Sequence, residues 1–280
     1  MPFLLALASA IFYGSADFLG GVVSRRVAAI PVVLISQAAG LVVVLLLLPL
    51  LPAASPSPAD FWWGVVAGVT GGIGVALLYH ALAIGTMSVV APTTAVAAVA
   101  IPVLASVALG ERPGVLAVAG IVLGVGAIVL VSQSSTTSAE PVRPRGVGAA
   151  LAAGVAIGVF FLTLAQTRAA AGLWPLVAAR CVSVSLVALV VVTRRSSLRM
   201  PASLGALTVL GGLLDMVANA LYMLAAQMGP LSPVVTLSSL YPASTVLLAR
   251  AVFGERLSGR QWVGVACALV AVVLIVAGRG

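Results

Sequence analysis

Long runs of apolar residues dominate this chain, and short polar segments separate one run from the next. A helix needs about 20 mostly apolar residues to cross the hydrocarbon core of a bilayer. The pattern therefore predicts an all-α integral membrane protein. Its ten predicted transmembrane helices lie at approximately residues 3–22, 31–51, 61–83, 88–109, 114–132, 146–168, 174–193, 204–226, 230–252 and 258–277.

The chain also repeats itself at a constant offset of 144 residues, as between Glu111 and Glu255. Gly110-Glu111-Arg112 precedes the fifth predicted helix, and Gly254-Glu255-Arg256 precedes the tenth. Each half therefore contains five predicted helices. Because five is odd, the second half enters the membrane in the opposite sense. This arrangement predicts two inverted-topology five-helix repeats, as in many transporters. We predict the first repeat at 1–132, a polar linker at 133–145 and the second repeat at 146–280.

Composition restricts the class of protein further. The chain is 62% hydrophobic and 7% charged, with a mean hydropathy of +1.26, whereas soluble domains contain about 25% charged residues. Its net charge of +8 comes from arginine alone. Nearly all of these arginines lie between apolar runs, which is typical of residues that set membrane orientation. We therefore expect the lipid bilayer as a partner, and no nucleic acid.

The arginines are divided unevenly between the two sides of the predicted bundle. With the N-terminus in the cytoplasm, the cytoplasmic segments would contain three arginines and the opposite segments ten, with Arg180 counted inside the membrane. Cytoplasmic segments normally carry the excess of basic residues. The distribution therefore predicts that the N-terminus lies outside.

The doubled Gly-Glu-Arg segments, with Tyr13-Gly14-Ser15 in the first helix, resemble the EamA-like branch of the drug/metabolite transporter superfamily. The resemblance covers essentially the whole chain. It implies a ten-helix carrier, often an exporter of amino acids or other small metabolites. It also implies a central cavity lined by helices one, three and four of each repeat, with the fifth helix outside. Both termini would then be cytoplasmic, which conflicts with the arginine distribution, so the sidedness is left open.

Charged residues within the predicted spans are the first candidates for a site, because each costs about 2.5–3.5 kcal/mol at the centre of a spanning helix. Asp215, Asn219 and Tyr222 share one face of the eighth predicted helix. Such a polar stripe is typical of the wall of a water-filled cavity. Alternatively, Asp215 forms a structural ion pair with Arg180 on a neighbouring helix, and the two interpretations are compatible. Arg180 would also suit the carboxylate of a substrate.

A second candidate pair lies in the first predicted helix, where Asp17 follows Tyr13 by one turn. Carboxylates within membrane spans often contact substrates or relay protons, so Asp17 is a candidate for substrate contact or for proton coupling. The alternative is a position near the membrane interface, beside Arg25 and Arg26.

Tyr79 and His80 lie near the end of the third predicted helix. Aromatic residues near the ends of spans are commonly interfacial anchors. Histidine can titrate near physiological pH. Both are kept as candidate substrate-binding or coupling residues.

The fourth and ninth predicted helices each contain two prolines and several hydroxyl side chains. Proline removes a backbone hydrogen bond and kinks a helix, which exposes carbonyl groups. The neighbouring hydroxyls either contact substrate or satisfy these carbonyls. The candidates are Thr93, Thr94, Ser238, Ser239 and Tyr241.

The chain shows no nucleotide-binding motif, no metal-ligand spacing and no nucleophile–base motif, so we expect no catalytic residue, metal or cofactor. We predict a secondary transporter of the inner or plasma membrane, as a monomer or homodimer. It would export a small metabolite, such as an amino acid, by alternating access. The alternatives are efflux of cationic drugs, with Asp17 and Asp215 attracting positive charge, and a membrane scaffold that transports nothing.

Overall fold

The computed structural model describes residues 1–51, 53–108, 114–132, 145–228, 237–238, 240–254 and 258–278. These residues form ten α-helices and contain no strand. Leu48–Leu50 and Ala169–Ala171 each form a short 3₁₀ turn. The helices are α1 (Pro2–Ser24), α2 (Ala29–Leu47), α3 (Pro58–Ile84), α4 (Met87–Ala108), α5 (Val115–Ser132), α6 (Val147–Leu164), α7 (Trp174–Thr193), α8 (Ala202–Met228), α9 (Tyr241–Phe253) and α10 (Gly259–Ala277).

Most helix ends lie within four residues of their predicted positions, and α6 is an informative example. It ends at Leu164, four residues before its predicted end. The Thr167 hydroxyl donates to the Leu164 carbonyl at 2.7 Å, which satisfies one of the free carbonyls at the helix end. α9 begins at Tyr241, later than predicted. The described residues leave out the predicted start of this helix, residues 133–144 of the predicted linker 133–145, and the Gly-Glu-Arg residues 110–112 and 255–256.

Six helices are long and apolar enough to cross a membrane, as judged by length and composition within the described ranges. They are α1, α2, α3, α6, α7 and α8. The apolar stretches described in α4, α5 and α10 are shorter. The chain is therefore a multi-pass membrane protein, and the number of ten spans stays a prediction.

Helices of one half pack mainly against helices of the other half, and they do so in reciprocal pairs. α1 packs on α8, and α3 packs on α6. In the same way α3 packs on α7 and α2 on α8, while α4 packs on α6 and α1 on α9. The fifth helices, α5 and α10, pack on each other. In the repeat, α1 to α5 correspond to α6 to α10. Replacing both helices of a packed pair by their counterparts gives another packed pair, so that α1 on α8 becomes α6 on α3.

Glycines bring these helices into backbone contact and reveal their directions. A Cβ on Gly64 would lie 2.6 Å from the Pro175 carbonyl, and one on Gly68 would lie 2.5 Å from the Ala179 carbonyl. The residue numbers of these contacts increase in the same direction along both helices, so α3 and α7 run parallel. By contrast, Gly71 faces Phe160 and Gly74 faces Ile157, so α3 and α6 run antiparallel.

The same comparison holds for α1. The Ser9 hydroxyl donates to the Ala218 carbonyl at 2.8 Å, whereas Leu19 lies against Gly211, so α1 runs antiparallel to α8. The C-terminal ends of α1 and α3 meet, because Gly21 faces Leu82.

The bundle has one end rich in arginine, which we call the arginine-rich end and define by the C-termini of α1, α3 and α7. Arg25 donates from Nη2 to the Gly85 carbonyl at 3.1 Å, and Gly85 lies against the Arg145 backbone. The described arginines at this end are Arg25, Arg26, Arg145, Arg194, Arg195, Arg199, Arg250 and Arg260.

At the opposite end, which contains the N-terminus of α3, Arg168 forms an ion pair with Asp60 at 2.9 Å. Asp60 also accepts a hydrogen bond from the Ser57 backbone at 2.7 Å, which caps the start of α3. Arg25, which follows α1, and Arg168, which follows α6, therefore bind at opposite ends of α3.

The arginine-rich end is densely packed with apolar side chains. Tyr79 is 3% exposed and lies directly against Gly20. The Arg25 guanidinium lies 4.5 Å from the centre of the Phe253 ring, and that ring packs on Phe18. The same cluster contains Val23, Leu78, Leu82, Met87, Leu204 and Ala249.

Substitution of Gly64 by Ala tests the close approach of α3 to α7. The added Cβ would lie 2.6 Å from the Pro175 carbonyl and 2.9 Å from the Ala178 Cβ. Overpacking of this kind costs about 1–3 kcal/mol. We expect a lower midpoint of thermal unfolding in detergent. Gly126→Ala is the matched control, because nothing lies within 4 Å of its added Cβ; equal midpoints for the two variants would contradict the packing described.

Candidate functional site

A cavity lies in the middle of the bundle, where the two halves meet. Its empty space, counted with its open mouth, is about 720 Å³. Among the described residues, seven helices contribute to its wall: α1, α2 and α3 from the first half, and α6 to α9 from the second. The described part of α4, which the family resemblance placed in the wall, does not line it. The polar residues of the wall are Tyr13, Asp17, Gln37, Arg180, Ser183, Asp215, Asn219 and Tyr241.

Arg180 occupies the centre of the polar wall. Its Nη1 donates to Gln37 Oε1, and its Nη2 donates to Asp215 Oδ2. The Ser183 hydroxyl donates to the same Gln37 oxygen at 2.9 Å. The guanidinium therefore connects α7 to α8 within the second half and to α2 in the first half.

Burial explains why Arg180 needs these partners. Its side chain is 10% exposed, and that of Asp215 is 22% exposed. Removing one partner of a buried ion pair leaves an uncompensated charge and is strongly destabilising. The two interpretations of Asp215 thus combine, since it lines the cavity and forms an ion pair with Arg180.

The remaining polar stripe on α8 divides between two environments. Asn219 lines the cavity, and its side-chain amide donates to the Asp215 carbonyl at 2.8 Å. Tyr222 lies one turn further along and does not line the cavity. Its ring meets that of Phe161 edge-on, with 6.4 Å between ring centres.

Tyr13 and Asp17 form a separate part of the wall on α1. The Tyr13 ring packs at an angle on the Tyr241 ring, with 6.1 Å between centres. The buried Tyr13 hydroxyl makes no hydrogen bond with any described residue. Asp17 likewise has no hydrogen-bond or ion-pair partner within the described ranges. The Tyr13 hydroxyl and the Asp17 carboxylate therefore both face the cavity without a hydrogen-bond donor or a cation from the described residues.

Several other candidates lie away from the cavity. Tyr79 is buried in the apolar cluster of the arginine-rich end, and His80 is exposed on the outside of the bundle. Three hydroxyls bind backbone carbonyls instead: Thr93 to Val89 at 2.8 Å, Thr94 to Ala150 at 3.2 Å and Ser238 to Ala6 at 3.3 Å.

Of the other two hydroxyl candidates, Tyr241 lines the cavity, and Ser239 lies outside the described residues.

Gln37 and Ser183 were missed by the sequence analysis, although both bind within the Arg180 network. Gln37 is an amide in a helix whose other residues are apolar except Ser36, and Ser183 follows Arg180 by one turn. Either feature could have identified these two residues as candidates from the sequence. The aromatic residues of the opposite wall, Phe160 and Phe161, could not be told from residues that face lipid.

The fold and the cavity define a multi-pass membrane protein with a charged site between its two halves. The model of the EamA-like transporter family matches residues 1–133 and again residues 144–277. The chain therefore belongs to the EamA-like transporter family, whose members are membrane transporters of the drug/metabolite superfamily.

The fold is also found among solved structures. One of them, titled only "Crystal structure of protein", aligns with 99% of this chain and 97% of its own, at 19% identity and a TM-score of 0.66. At this identity the likeness concerns the fold alone. No curated protein matches the chain.

Replacing Asp215 by Leu tests the ion pair. The single variant leaves Arg180 without its counter-charge, and we expect a loss of about 3 kcal/mol, the lower end of the usual range because Asp215 is partly exposed. The double variant Arg180→Met/Asp215→Leu removes both charges and should recover most of this loss. Thermal unfolding of the purified variants in detergent measures both effects. Equal stability of the Asp215→Leu variant and the unchanged protein would show that the pair contributes nothing.

Proposed function

We propose that this protein is a secondary transporter that exports a small metabolite, such as an amino acid, across the inner or plasma membrane by alternating access. The observation that carries the proposal is the charged cavity between the two halves. A charged group is costly inside a membrane and usually marks a substrate or ion pathway. A membrane scaffold would have no need of one.

The directions of the helices support an inverted repeat. α1 and α3 meet at their C-terminal ends, whereas α6 runs antiparallel to α3. α6, the counterpart of α1, therefore runs opposite to α1. In inverted-repeat transporters the two halves exchange their conformations, so that a site between them opens first to one side and then to the other.

The dense packing at the arginine-rich end suggests which side is closed in this conformation. The apolar cluster around Tyr79 and Leu82 lies between the cavity and that end. We propose that the arginine-rich end faces the cytoplasm, because basic residues concentrate on that side. The present conformation would then be closed towards the cytoplasm.

Efflux of organic cations is the second candidate, and Asp17 favours it. The carboxylate faces the cavity without a partner among the described residues, whereas the charge of Arg180 is compensated by Asp215. A cation would find a counter-charge in the cavity.

Transport by the purified protein in liposomes tests the carrier function. We expect labelled amino acids or organic amines to accumulate when a pH gradient is imposed. Asp215→Asn should lower the initial rate by about 10-fold, as expected for the loss of one charge-assisted interaction.

Ser15→Ala serves as the matched control for the transport assay. Ser15 lies on α1 outside the cavity wall, and its hydroxyl bonds only its own helix at the Ile11 carbonyl. It should transport at the unchanged rate. Failure of the unchanged protein to move any of these compounds would favour the scaffold.

Labelling of single cysteines in whole cells tests the orientation. In a background with Cys181 and Cys267 replaced by Ser, we expect a membrane-impermeant maleimide to label Ala53→Cys. Ser197→Cys, in the exposed loop at the arginine-rich end, should react only after the membrane is permeabilised. The reverse pattern would place the arginine-rich end outside.

A further inference from the structure

We propose that the cavity selects a small organic ammonium ion that carries at least one N–H bond and a compact apolar group, and that it rejects compounds with a carboxylate. This inference rests on the proposed transport function and, of its two candidate substrate classes, selects organic cations over amino acids. It follows from how the charges in the cavity wall are already used.

The positive charge of the wall is already compensated by a carboxylate of the protein. Both terminal nitrogens of Arg180 already donate, one to Gln37 and the other to Asp215. Gln37 is held in turn by the Ser183 hydroxyl at 2.9 Å. A substrate carboxylate that approached the guanidinium would lie beside Asp215, so that two carboxylates would share one cation in a site of low dielectric constant. Such crowding of like charges is unfavourable.

The negative charge of the wall is in excess. Its charged residues within the described ranges are Asp17, Asp215 and Arg180, so these groups, when ionised, carry one uncompensated negative charge. That excess belongs to Asp17, which has no partner among the described residues. A buried charge without a partner is costly, and a bound cation would remove this cost.

The hydroxyl of Tyr13 specifies the kind of cation. It lies one turn from Asp17 on the same face of α1, it is buried, and no described residue bonds it. A phenol oxygen can accept a hydrogen bond. An ammonium group with N–H bonds can donate to Asp17 and Tyr13 together, whereas a quaternary ammonium group can donate to neither.

The opposite wall provides the place for the apolar group. Adding the repeat offset of 144 residues relates Tyr13 to Ile157 and Asp17 to Phe161, and all four line the cavity. The counterpart of Asp215 is Gly71, which also lines it. Equivalent positions of the two repeats thus line the same cavity, with polar residues on the packed helices α1 and α8 and apolar residues or glycine on the packed helices α3 and α6. A substrate that fits this arrangement has a charged end and an apolar end.

Three compounds with the same ring and different charges test the inference. They are 2-phenylethylamine (a cation), phenylalanine (a zwitterion) and 3-phenylpropionate (an anion). Calorimetric titration of the purified protein in detergent measures their dissociation constants without requiring transport. We expect the amine to bind at least about 10-fold more tightly than either carboxylate, and more tightly than its N-trimethylated form.

Variants of the α1 pair identify the binding groups. Asp17→Asn should weaken binding of the amine by about 10- to 100-fold, and Tyr13→Phe by about 5-fold, because the first removes a charged partner and the second a single hydrogen bond. Asp17→Glu should retain most of the affinity. Ser15→Ala is the control on the same helix and should bind normally. Should Asp17→Asn fail to fold, as judged by gel filtration, Tyr13→Phe and the three-compound comparison decide the question.

The outcomes separate this inference from the transport function. Binding of phenylalanine or phenylpropionate as tight as that of the amine would overturn the inference, even if transport is observed. Unchanged affinity for the amine in Asp17→Asn would overturn it as well. Selective, Asp17-dependent binding of the amine without transport in liposomes would instead support the selectivity and contradict the carrier function.

Discussion

The buried charge of Arg180 is the constraint on which the centre of this protein depends. A guanidinium in the middle of an apolar bundle is tolerated only if a counter-charge and hydrogen-bond acceptors lie close to it. Asp215 supplies the counter-charge from α8, and Gln37 supplies an amide oxygen from α2. These partners can reach Arg180 because Gly40 and Gly212 let α2 and α8 approach closely; a Cβ on Gly40 would lie 3.4 Å from the Gly212 carbonyl. One charge thus joins the two halves of the chain.

The two halves share the same helix packing but contribute residues of different chemical character to the cavity. Their helices pack in reciprocal pairs, and small residues at matching positions allow backbones to touch, as is common in membrane proteins where packing drives association. The cavity between them departs from this symmetry. Its charged residues Asp17, Arg180 and Asp215 come from α1, α7 and α8, while the matching positions carry Phe161, Ser36 and Gly71. A repeat can therefore provide the symmetry that alternating access requires and still bind an asymmetric molecule.

The two ends of the bundle are held by different means. At the arginine-rich end an apolar cluster excludes water, and Arg25 binds the Gly85 carbonyl at the end of α3. At the other end Arg168 and Asp60 form an ion pair that connects the start of α3 to the loop after α6. α3 is thus bonded to the first half at one end and to the second half at the other. A movement of one half relative to the other would therefore change the contacts of α3.

The amino-acid sequence by itself determined the class of protein, the repeat and most helices, because apolar runs and a constant offset are properties of neighbouring or regularly spaced residues. It also indicated Asp17, Asp215 and Arg180, since charge within an apolar run is evident locally. Only the tertiary structure decided which polar groups meet. Gln37 and Arg180 are 143 positions apart, and Thr93, Thr94 and Ser238 are used by backbone carbonyls that no spacing rule identifies. Whether a side chain faces a cavity, a neighbouring helix or lipid depends on how helices pack, and in a chain that is apolar on every face the sequence carries little record of that choice.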